Sequence, residues 1–194
     1  MLAKRRHMTL QHRNAQTGAV DEPVLDEAIF RDVLAQVRAW ANSLERTPRT
    51  AAKLDEEELR DLLLGTLNGY WQGAAGGELF NGSGKTDILV RHDDRNVFIV
   101  ECKIWAGATS AGAAVDQPLN YLVWRDSKAA LMVFIRTAKP AETIERLHRA
   151  IADHPSCVLA KETEDPSKLA EYVVTADAEG RKVSLALVPV VIGR

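Results

Sequence analysis

Two carboxylates and one lysine occur at a spacing that could hold a metal ion beside a reactive water. Asp87 lies in one short apolar run, and Glu101 and Lys103 lie in the next. Successive side chains of a strand point to opposite faces, so Glu101 and Lys103 share one face. A hairpin that turns symmetrically about Asp94 sets Asp87 directly opposite Glu101, since each lies seven residues from position 94. The spacing therefore predicts two acids and an amine on one face of a β-hairpin.

Two opposed carboxylates in an apolar hairpin repel each other and lose hydration, so another group must offset the cost. A shared proton or the Lys103 ammonium could do so. A divalent cation does so best, because Mg²⁺ (or Mn²⁺ in its place) prefers oxygen ligands and is held by carboxylates together with substrate phosphate. Lys103 beside the ion could orient or deprotonate a water and stabilise the charge that grows on phosphate. The pattern predicts metal-assisted hydrolysis of a phosphate ester.

Hydrophobic periodicity predicts the elements that position this hairpin. The apolar runs of the hairpin are almost continuous, which is typical of strands buried on both faces. The chain is expected to form an α/β fold with a mixed central sheet flanked by helices. The predicted elements are helices at 24–44 and 53–67, a short strand near 78–80, hairpin strands at 86–91 and 96–105, a loop at 106–114, a helix at 117–125, a strand at 129–135, a helix at 141–152, a short strand at 157–160 and a C-terminal hairpin that turns near Glu179 and Gly180.

Composition predicts one globular domain in a reducing compartment. We expect a flexible basic tail at 1–22 and a single domain at 23–194, since 46% of the 194 residues are hydrophobic and can build a core. The two cysteines have no disulfide or zinc spacing, and no apolar run approaches a membrane span, so we expect a cytoplasmic protein that binds no membrane. The net charge of −2 means that nucleic-acid binding would need a local basic groove.

The site residues resemble those of the PD-(D/E)XK nuclease superfamily, in particular the restriction-endonuclease-like proteins of bacterial defence and DNA processing. The resemblance covers about residues 53–136. It implies a restriction-endonuclease-like core of a helix, three strands, a helix and a strand, to which an N-terminal helix and a C-terminal hairpin are added here. The matching segments are Gly84-Lys85-Thr86-Asp87, Glu101-Cys102-Lys103, the acidic helix segment 57–63, and Gln117-Pro118-Leu119-Asn120-Tyr121-Leu122, which is similar to the Q-x-x-x-Y element of some branches.

This resemblance implies a nuclease that uses Mg²⁺ or Mn²⁺ to hydrolyse phosphodiester bonds, with DNA as the expected partner. Asp87 and Glu101 would be metal ligands, the backbone carbonyl of Cys102 a third ligand, and Lys103 would act on the water. The alternative is a nuclease fold kept for binding nucleic acid or a protein partner without turnover. An intact set of Asp, Glu and Lys favours the enzyme. The protein could also form a homodimer or belong to a defence complex through its long first helix.

Four further residues are predicted to support the site. An acid of the first core helix often joins the metal in the superfamily, and Glu58 is expected to do so, with Glu57 as the alternative; acids in a first turn also simply favour the helix dipole. Gln117 and Tyr121 are four residues apart and could share a helix face. Pro118 disfavours helical geometry at the residue before it, so Gln117 could instead lie at the helix cap. Lys85 could contact phosphate or be an exposed strand-end lysine.

A phosphate-binding P-loop is excluded by the same segment of sequence. Residues 82–86 read Gly-Ser-Gly-Lys-Thr, but the P-loop pattern requires glycine at position 79, which is Leu79. A P-loop also leads into a helix, whereas a strand is predicted after Thr86.

Overall fold

The computed structural model describes residues 27–71, 80–83, 87–92, 95–122 and 128–193. The predicted tail at 1–22, Lys85 and the predicted turn at Asp94 lie outside the described residues. Within these ranges, seven strands form one sheet and five helices accompany it. The strands are β1 (Phe80–Ser83), β2 (Asp87–His92), β3 (Arg95–Ile104), β4 (Lys128–Ile135), β5 (Cys157–Lys161), β6 (Ala170–Thr175) and β7 (Lys182–Val191). The helices are α1 (Glu27–Arg46), α2 (Pro48–Ala51), α3 (Glu56–Trp71), α4 (Ala108–Tyr121) and α5 (Pro140–Ala152).

The sheet is mixed, with a parallel centre and antiparallel margins. Its strand order is β1-β2-β3-β4-β7-β6-β5, and β3, β4 and β7 run parallel. The other neighbouring strands pair antiparallel. Ile104, Phe134 and Val190 are aligned across the three central strands, so the carboxyl ends of these strands meet at one edge of the sheet. The predicted α/β class with a mixed sheet flanked by helices is confirmed.

Two apolar cores cover the two faces of the sheet. Helices α1 and α3 pack on the face that carries Val100 and Cys102 of β3. Helices α4 and α5 pack on the face that carries Ile99. Because β3 and β4 are buried on both faces, their apolar residues run almost without interruption. No helix among the described residues is long and apolar enough to span a membrane.

The predicted loop at 106–114 is wrong, because α4 already begins at Ala108. The small residues that indicated a loop instead allow this helix to pack closely on the sheet, where Ala111, Ala114 and Val115 are buried. Alanine also has the highest helix propensity. Gly107, at the N-cap, has a φ of 115°, a conformation that favours glycine.

Pro118 lies inside α4 rather than at its start. The predicted position of Gln117 at the helix cap is therefore wrong, and Gln117 lies within the helix. The predicted end at 125 is not reached, since α4 ends at Tyr121, and residues 123–127 lie outside the described residues. Burial of Pro118 and Leu119 favours the helix despite the backbone hydrogen bond that proline removes.

The remaining predicted elements are confirmed with small shifts of their bounds. The C-terminal hairpin joins β6 to β7 through a turn in which the Gly180 N–H donates to the Asp177 carbonyl at 3.1 Å. Gly180 has a φ of 79°, which explains why glycine is favoured there. The turn therefore lies where the sequence predicts it.

Candidate active site

Glu101 lies in the central strand β3 and has no exposed surface. Ile99 precedes it on the same face, and Leu131 of β4 is aligned beside it; both are fully buried. Moving a carboxylate from water into such an environment costs several kcal/mol unless a charged or hydrogen-bonded partner offsets the loss. A fully buried acid in the middle of a sheet therefore indicates a specific electrostatic partner.

Lys103 provides that partner. Its Nζ lies 3.1 Å from Oε1 of Glu101. The two residues are two apart in one strand and so share a face, as the sequence predicts. The Lys103 side chain keeps 21% of its surface exposed. The Lys103 side chain therefore contacts the buried carboxylate and is itself partly accessible to solvent.

Glu56 is the second carboxylate that contacts this lysine. Oε1 of Glu56 lies 3.2 Å from Nζ of Lys103, and Oε2 accepts a hydrogen bond of 2.8 Å from the Ile104 N–H. Glu56 is the first residue of α3, where the helix dipole favours negative charge. The start of α3 is thereby held against the carboxyl end of β3.

Glu58, the acid predicted to join the site, makes other contacts. Its backbone N–H donates to Oδ1 of Asp55 at 2.8 Å, and its Oε2 accepts from the Asp55 N–H at 2.7 Å. This reciprocal pair is a capping box, in which both side chains satisfy free backbone groups of the first helical turn. Glu57 is exposed. The described contacts bring Glu56, rather than Glu58 or Glu57, to Lys103.

Asp87 occupies the predicted register position opposite Glu101. The side chain of Asp87 lies outside the described side chains, so its position is given by the backbone alone. The Trp105 N–H donates to the Phe134 carbonyl of β4 at 2.9 Å, so the backbone groups of Trp105 point toward β4. Alternate residues of a strand direct their backbone groups to the same neighbour, so those of Glu101, four residues earlier, also point toward β4 and away from β2. Asp87 and Glu101 are therefore a non-hydrogen-bonded pair, the type with the shorter Cα separation of about 4.5 Å.

The carbonyl of Cys102 points to the opposite side of β3 from β4. The Ile104 N–H points to that side, where Glu56 accepts it. Alternate residues of a strand direct their backbone groups to the same neighbour, so the Cys102 carbonyl shares this direction. It faces the side of β3 on which Asp87 and Glu56 lie, as a third oxygen ligand would require.

The predicted supporting residues are less fully described. Gln117 is partly buried on α4, next to buried Pro118 and one turn after buried Ala114. Helix α4 packs on the face of the sheet that Ile99 shares with Glu101. The side chain of Tyr121, like Lys85, lies outside the described part of the structure. No contact of Gln117 with Glu101 or Lys103 occurs among the described hydrogen bonds.

The donor atoms of this site fit a hard cation better than a soft one. They are the carboxylate oxygens of Glu101 and Glu56 and the Cys102 carbonyl, without thiolate or imidazole. Among the described side chains, which exclude that of Asp87, no group of three or more His, Cys, Asp or Glu residues lies close enough to hold a metal ion. A complete ligand set would need Asp87.

Comparisons with protein-family models, with curated proteins and with solved structures found no match for this chain.

Proposed function

We propose that this protein is a metal-dependent nuclease that hydrolyses phosphodiester bonds in DNA, in bacterial-type defence or DNA processing. One observation carries the proposal: the fully buried carboxylate of Glu101 is ion-paired to Lys103, while the strand register aligns Asp87 with Glu101. Residues opposed in an antiparallel pair have Cβ atoms on the same face. This arrangement of the three residues supports a hydrolytic metal site.

The balance of charge favours a divalent ion. Lys103 contacts the carboxylates of both Glu101 and Glu56. With Asp87, the proposed site brings three carboxylates to this ammonium, an excess of negative charge among these four residues. A divalent cation such as Mg²⁺ or Mn²⁺ would neutralise this excess and offset the cost of burying Glu101.

The residues of the site have distinct roles in the proposed reaction. Asp87, Glu101 and the Cys102 carbonyl would hold the ion, which supplies Lewis acidity toward a phosphate oxygen and a water. The Lys103 ammonium donates hydrogen bonds to the phosphate and stabilises the negative charge that grows there. Glu56 contacts Lys103 from the other side and orients it. The water forms a new P–O bond and gives its proton to a solvent water, the ester P–O bond breaks, and the leaving oxygen takes a proton from solvent.

The order of elements supports a nuclease over other hydrolases. Helix α3, strands β1, β2 and β3, helix α4 and strand β4 follow one another along the chain. This is the order that the PD-(D/E)XK resemblance implies, with the acid pair and the lysine on the second and third strands. The resemblance supplies the substrate class, and the parallel carboxyl ends beside Lys103 form an edge at which ligands of α/β sheets bind.

A cleavage assay tests the proposal directly. Purified protein is incubated with supercoiled plasmid, linear DNA and RNA in Mg²⁺ or Mn²⁺, with and without a chelator. Asp87→Ala and Lys103→Ala should each remove the activity while the fold is retained. Lys139→Ala is the matched control, because Lys139 is an exposed lysine that pairs only locally with Glu142. Absence of metal-dependent cleavage of every substrate would contradict the proposal.

A binding module without turnover is the second candidate, and one observation favours it. Lys103 already contacts two carboxylates, so a self-contained ion-pair network could persist without metal. Calorimetric titration with Mn²⁺ separates the two candidates. The enzyme should bind the ion, and Glu101→Gln should weaken that binding, whereas a retired site should take up no ion in either form.

A further inference from the structure

A basic pocket lies at the end of α1, near the carboxyl ends of β4 and β7. Its volume is about 660 Å³, and its lining combines arginines, hydroxyl-bearing residues and backbone. This volume falls within the range of cavities that accept small molecules. The residues that line it are Arg46, Thr47, Pro48, Arg49, Thr50, Ala52, Ile192 and Gly193.

The charge of the pocket has one sign. Arg46 and Arg49 are exposed, and neither forms an ion pair with an acid in the described part of the chain. No acidic residue occurs among the described residues of the lining. On a chain with a net charge of −2, this is a local concentration of positive charge. Two guanidinium groups without acidic partners fit a phosphate, because each can donate paired hydrogen bonds to its oxygens.

Short contacts connect this pocket to the active-site edge of the sheet. The Ile192 N–H donates to the Ile135 carbonyl at 2.9 Å, which places the pocket beyond the carboxyl ends of β4 and β7. A Cβ at Gly193 would lie 2.6 Å from Cα of Arg136, so the two backbones are in close contact. Arg136 in turn donates through Nη2 to the Leu54 carbonyl, two residues before Glu56.

We infer that Arg46 and Arg49 bind a backbone phosphate of the nucleic-acid strand that is cut at Glu101 and Lys103. The inference rests on the proposed function and adds a second contact for the same substrate. The pocket lies next to β7, two strand spacings from β3, which is about 10 Å.

A binding measurement that needs no cleavage tests the inference. Fluorescence anisotropy with labelled single-stranded and duplex oligonucleotides is recorded in chelator over a range of salt concentrations. The variant Arg46→Gln/Arg49→Gln should bind the oligonucleotides about tenfold more weakly. The slope of log affinity against log salt concentration should be shallower by one to two released counterions, with about 0.7–0.9 for each lost phosphate contact. The variant Arg46→Lys/Arg49→Lys should keep most of the salt dependence, because it keeps the charge.

The matched control is Arg149→Gln/Lys182→Gln. Arg149 is an exposed arginine in the last turn of α5, as Arg46 is in the last turn of α1, but α5 begins just after the carboxyl end of β4, so its last turn lies away from that edge. Lys182 is exposed at the start of β7, far from its carboxyl end. This control removes the same charge and should bind like wild type.

Three results would overturn the inference. They are wild-type binding by Arg46→Gln/Arg49→Gln, an equal loss in the control, and full competition by inorganic phosphate at matched ionic strength, which would indicate a site for small anions. The inference and the proposed function fail separately. Cleavage with unaffected binding of the arginine variant overturns only the inference, and weakened binding without any cleavage overturns only the enzyme.

Discussion

Two glutamates are buried in the described part of this protein, and they differ in the positive charges that they contact. Glu171 of β6 accepts hydrogen bonds from both Nη atoms of Arg31, one of them at 3.1 Å, and its Oε2 lies 3.3 Å from Nζ of Lys161. Glu101 contacts one lysine, which Glu56 shares. Glu171 therefore pairs with two cations, whereas Glu101 and Glu56 share Lys103.

The comparison shows that burial of a carboxylate does not by itself indicate a functional site. Burial raises the pKa of Glu171, but the hydrogen bond and charge of Arg31, together with Lys161, more than reverse this, so its pKa lies below the usual range. Its charge is satisfied by the protein, which is expected of a structural ion pair. Glu101 instead shares Lys103 with Glu56, and under the proposed function a metal ion and a substrate complete the site.

Substitution of Glu101 has the largest expected effect. Glu101→Gln should reduce metal-dependent cleavage by about a hundredfold to a thousandfold, because it removes a ligand charge from the reacting centre. Its free energy of unfolding without metal should be unchanged or higher by about 1 kcal/mol, since a buried charge is lost and Lys103 keeps Glu56. Cleavage rates and chemical denaturation check the two effects. A Glu101→Gln variant that is less stable than wild type would indicate that Glu101, like Glu171, has a structural role.

The two acids of the α3 first turn give the next largest effect. Glu56→Gln should reduce cleavage by about tenfold, because Lys103 loses one of the groups that orient it. Glu58→Gln should leave cleavage unchanged and lower the free energy of unfolding by about 0.5–1 kcal/mol, since only the capping box is weakened. The same assays apply, and each variant is the control for the other. Reversed effects would support the original assignment of Glu58 to the site.

Substitution of Glu171 should change stability and leave activity intact. Glu171→Gln should lower the free energy of unfolding at pH 7 by about 1–2 kcal/mol, a reduced value because Arg31 is half exposed. Because the pKa of Glu171 is lower in the folded state, the ionised carboxylate stabilises the fold at pH values above its unfolded pKa of about 4.3. This stabilisation is lost as the pH falls through the pKa of the folded state. Denaturation at several pH values should therefore show the difference from wild type disappearing in acid, whereas the exposed Glu162→Gln should differ little at any pH.

His148, next to this structural region, gives the smallest expected effect. Burial lowers its pKa, although the hydrogen bond to the Pro166 carbonyl raises it in part. That carbonyl only accepts, so Nε2 carries the proton and Nδ1 accepts from the Tyr172 hydroxyl at 2.6 Å. Burial raises the pKa of Tyr172 to about 12, which keeps this donor protonated.

The neutral His148 therefore stabilises the fold above its unfolded pKa of about 6.5, and this stability is lost as the pH falls through the lower folded value. The loss should be below about 1 kcal/mol. His148→Asn should remove this step from a plot of unfolding free energy against pH. Tyr172→Phe should keep the step, because the imidazole still titrates. Persistence of this step in the His148→Asn variant would show that another titratable group causes it.

The register of the hairpin that carries Asp87 and Glu101 could be predicted from sequence because it depends on local rules. The period of two fixes the shared face of Glu101 and Lys103, and equal spacing from Asp94 predicts the alignment of Asp87 with Glu101. The pairing shifts between Val90 and Arg91, which lie nearer the turn than Asp87. The predicted alignment of Asp87 with Glu101 is therefore unaffected by this irregularity. Local periodicity also predicts the helices and the C-terminal hairpin.

Features that depend on tertiary packing could not be predicted in the same way. The contact of Glu56 with Lys103 requires knowledge of where the start of α3 meets the end of β3. The pattern Asp55-x-x-Glu58 could have shown that Glu58 is occupied as a cap. The helix at Ala108 is stabilised by burial of small residues on the sheet, and their composition alone resembles a loop. The partner of Glu171 lies 140 residues away in sequence, at Arg31.

The most direct test of the account is the anomalous diffraction of a crystal soaked in Mn²⁺. The account predicts one peak within about 2.5 Å of carboxylate oxygens of both Asp87 and Glu101, with the Cys102 carbonyl as a further ligand and Lys103 beside the ion. In Glu101→Gln crystals the peak should be lost or strongly reduced. A wild-type crystal without a peak between these strands, in which Lys103 alone neutralises Glu101, would contradict the proposed metal site.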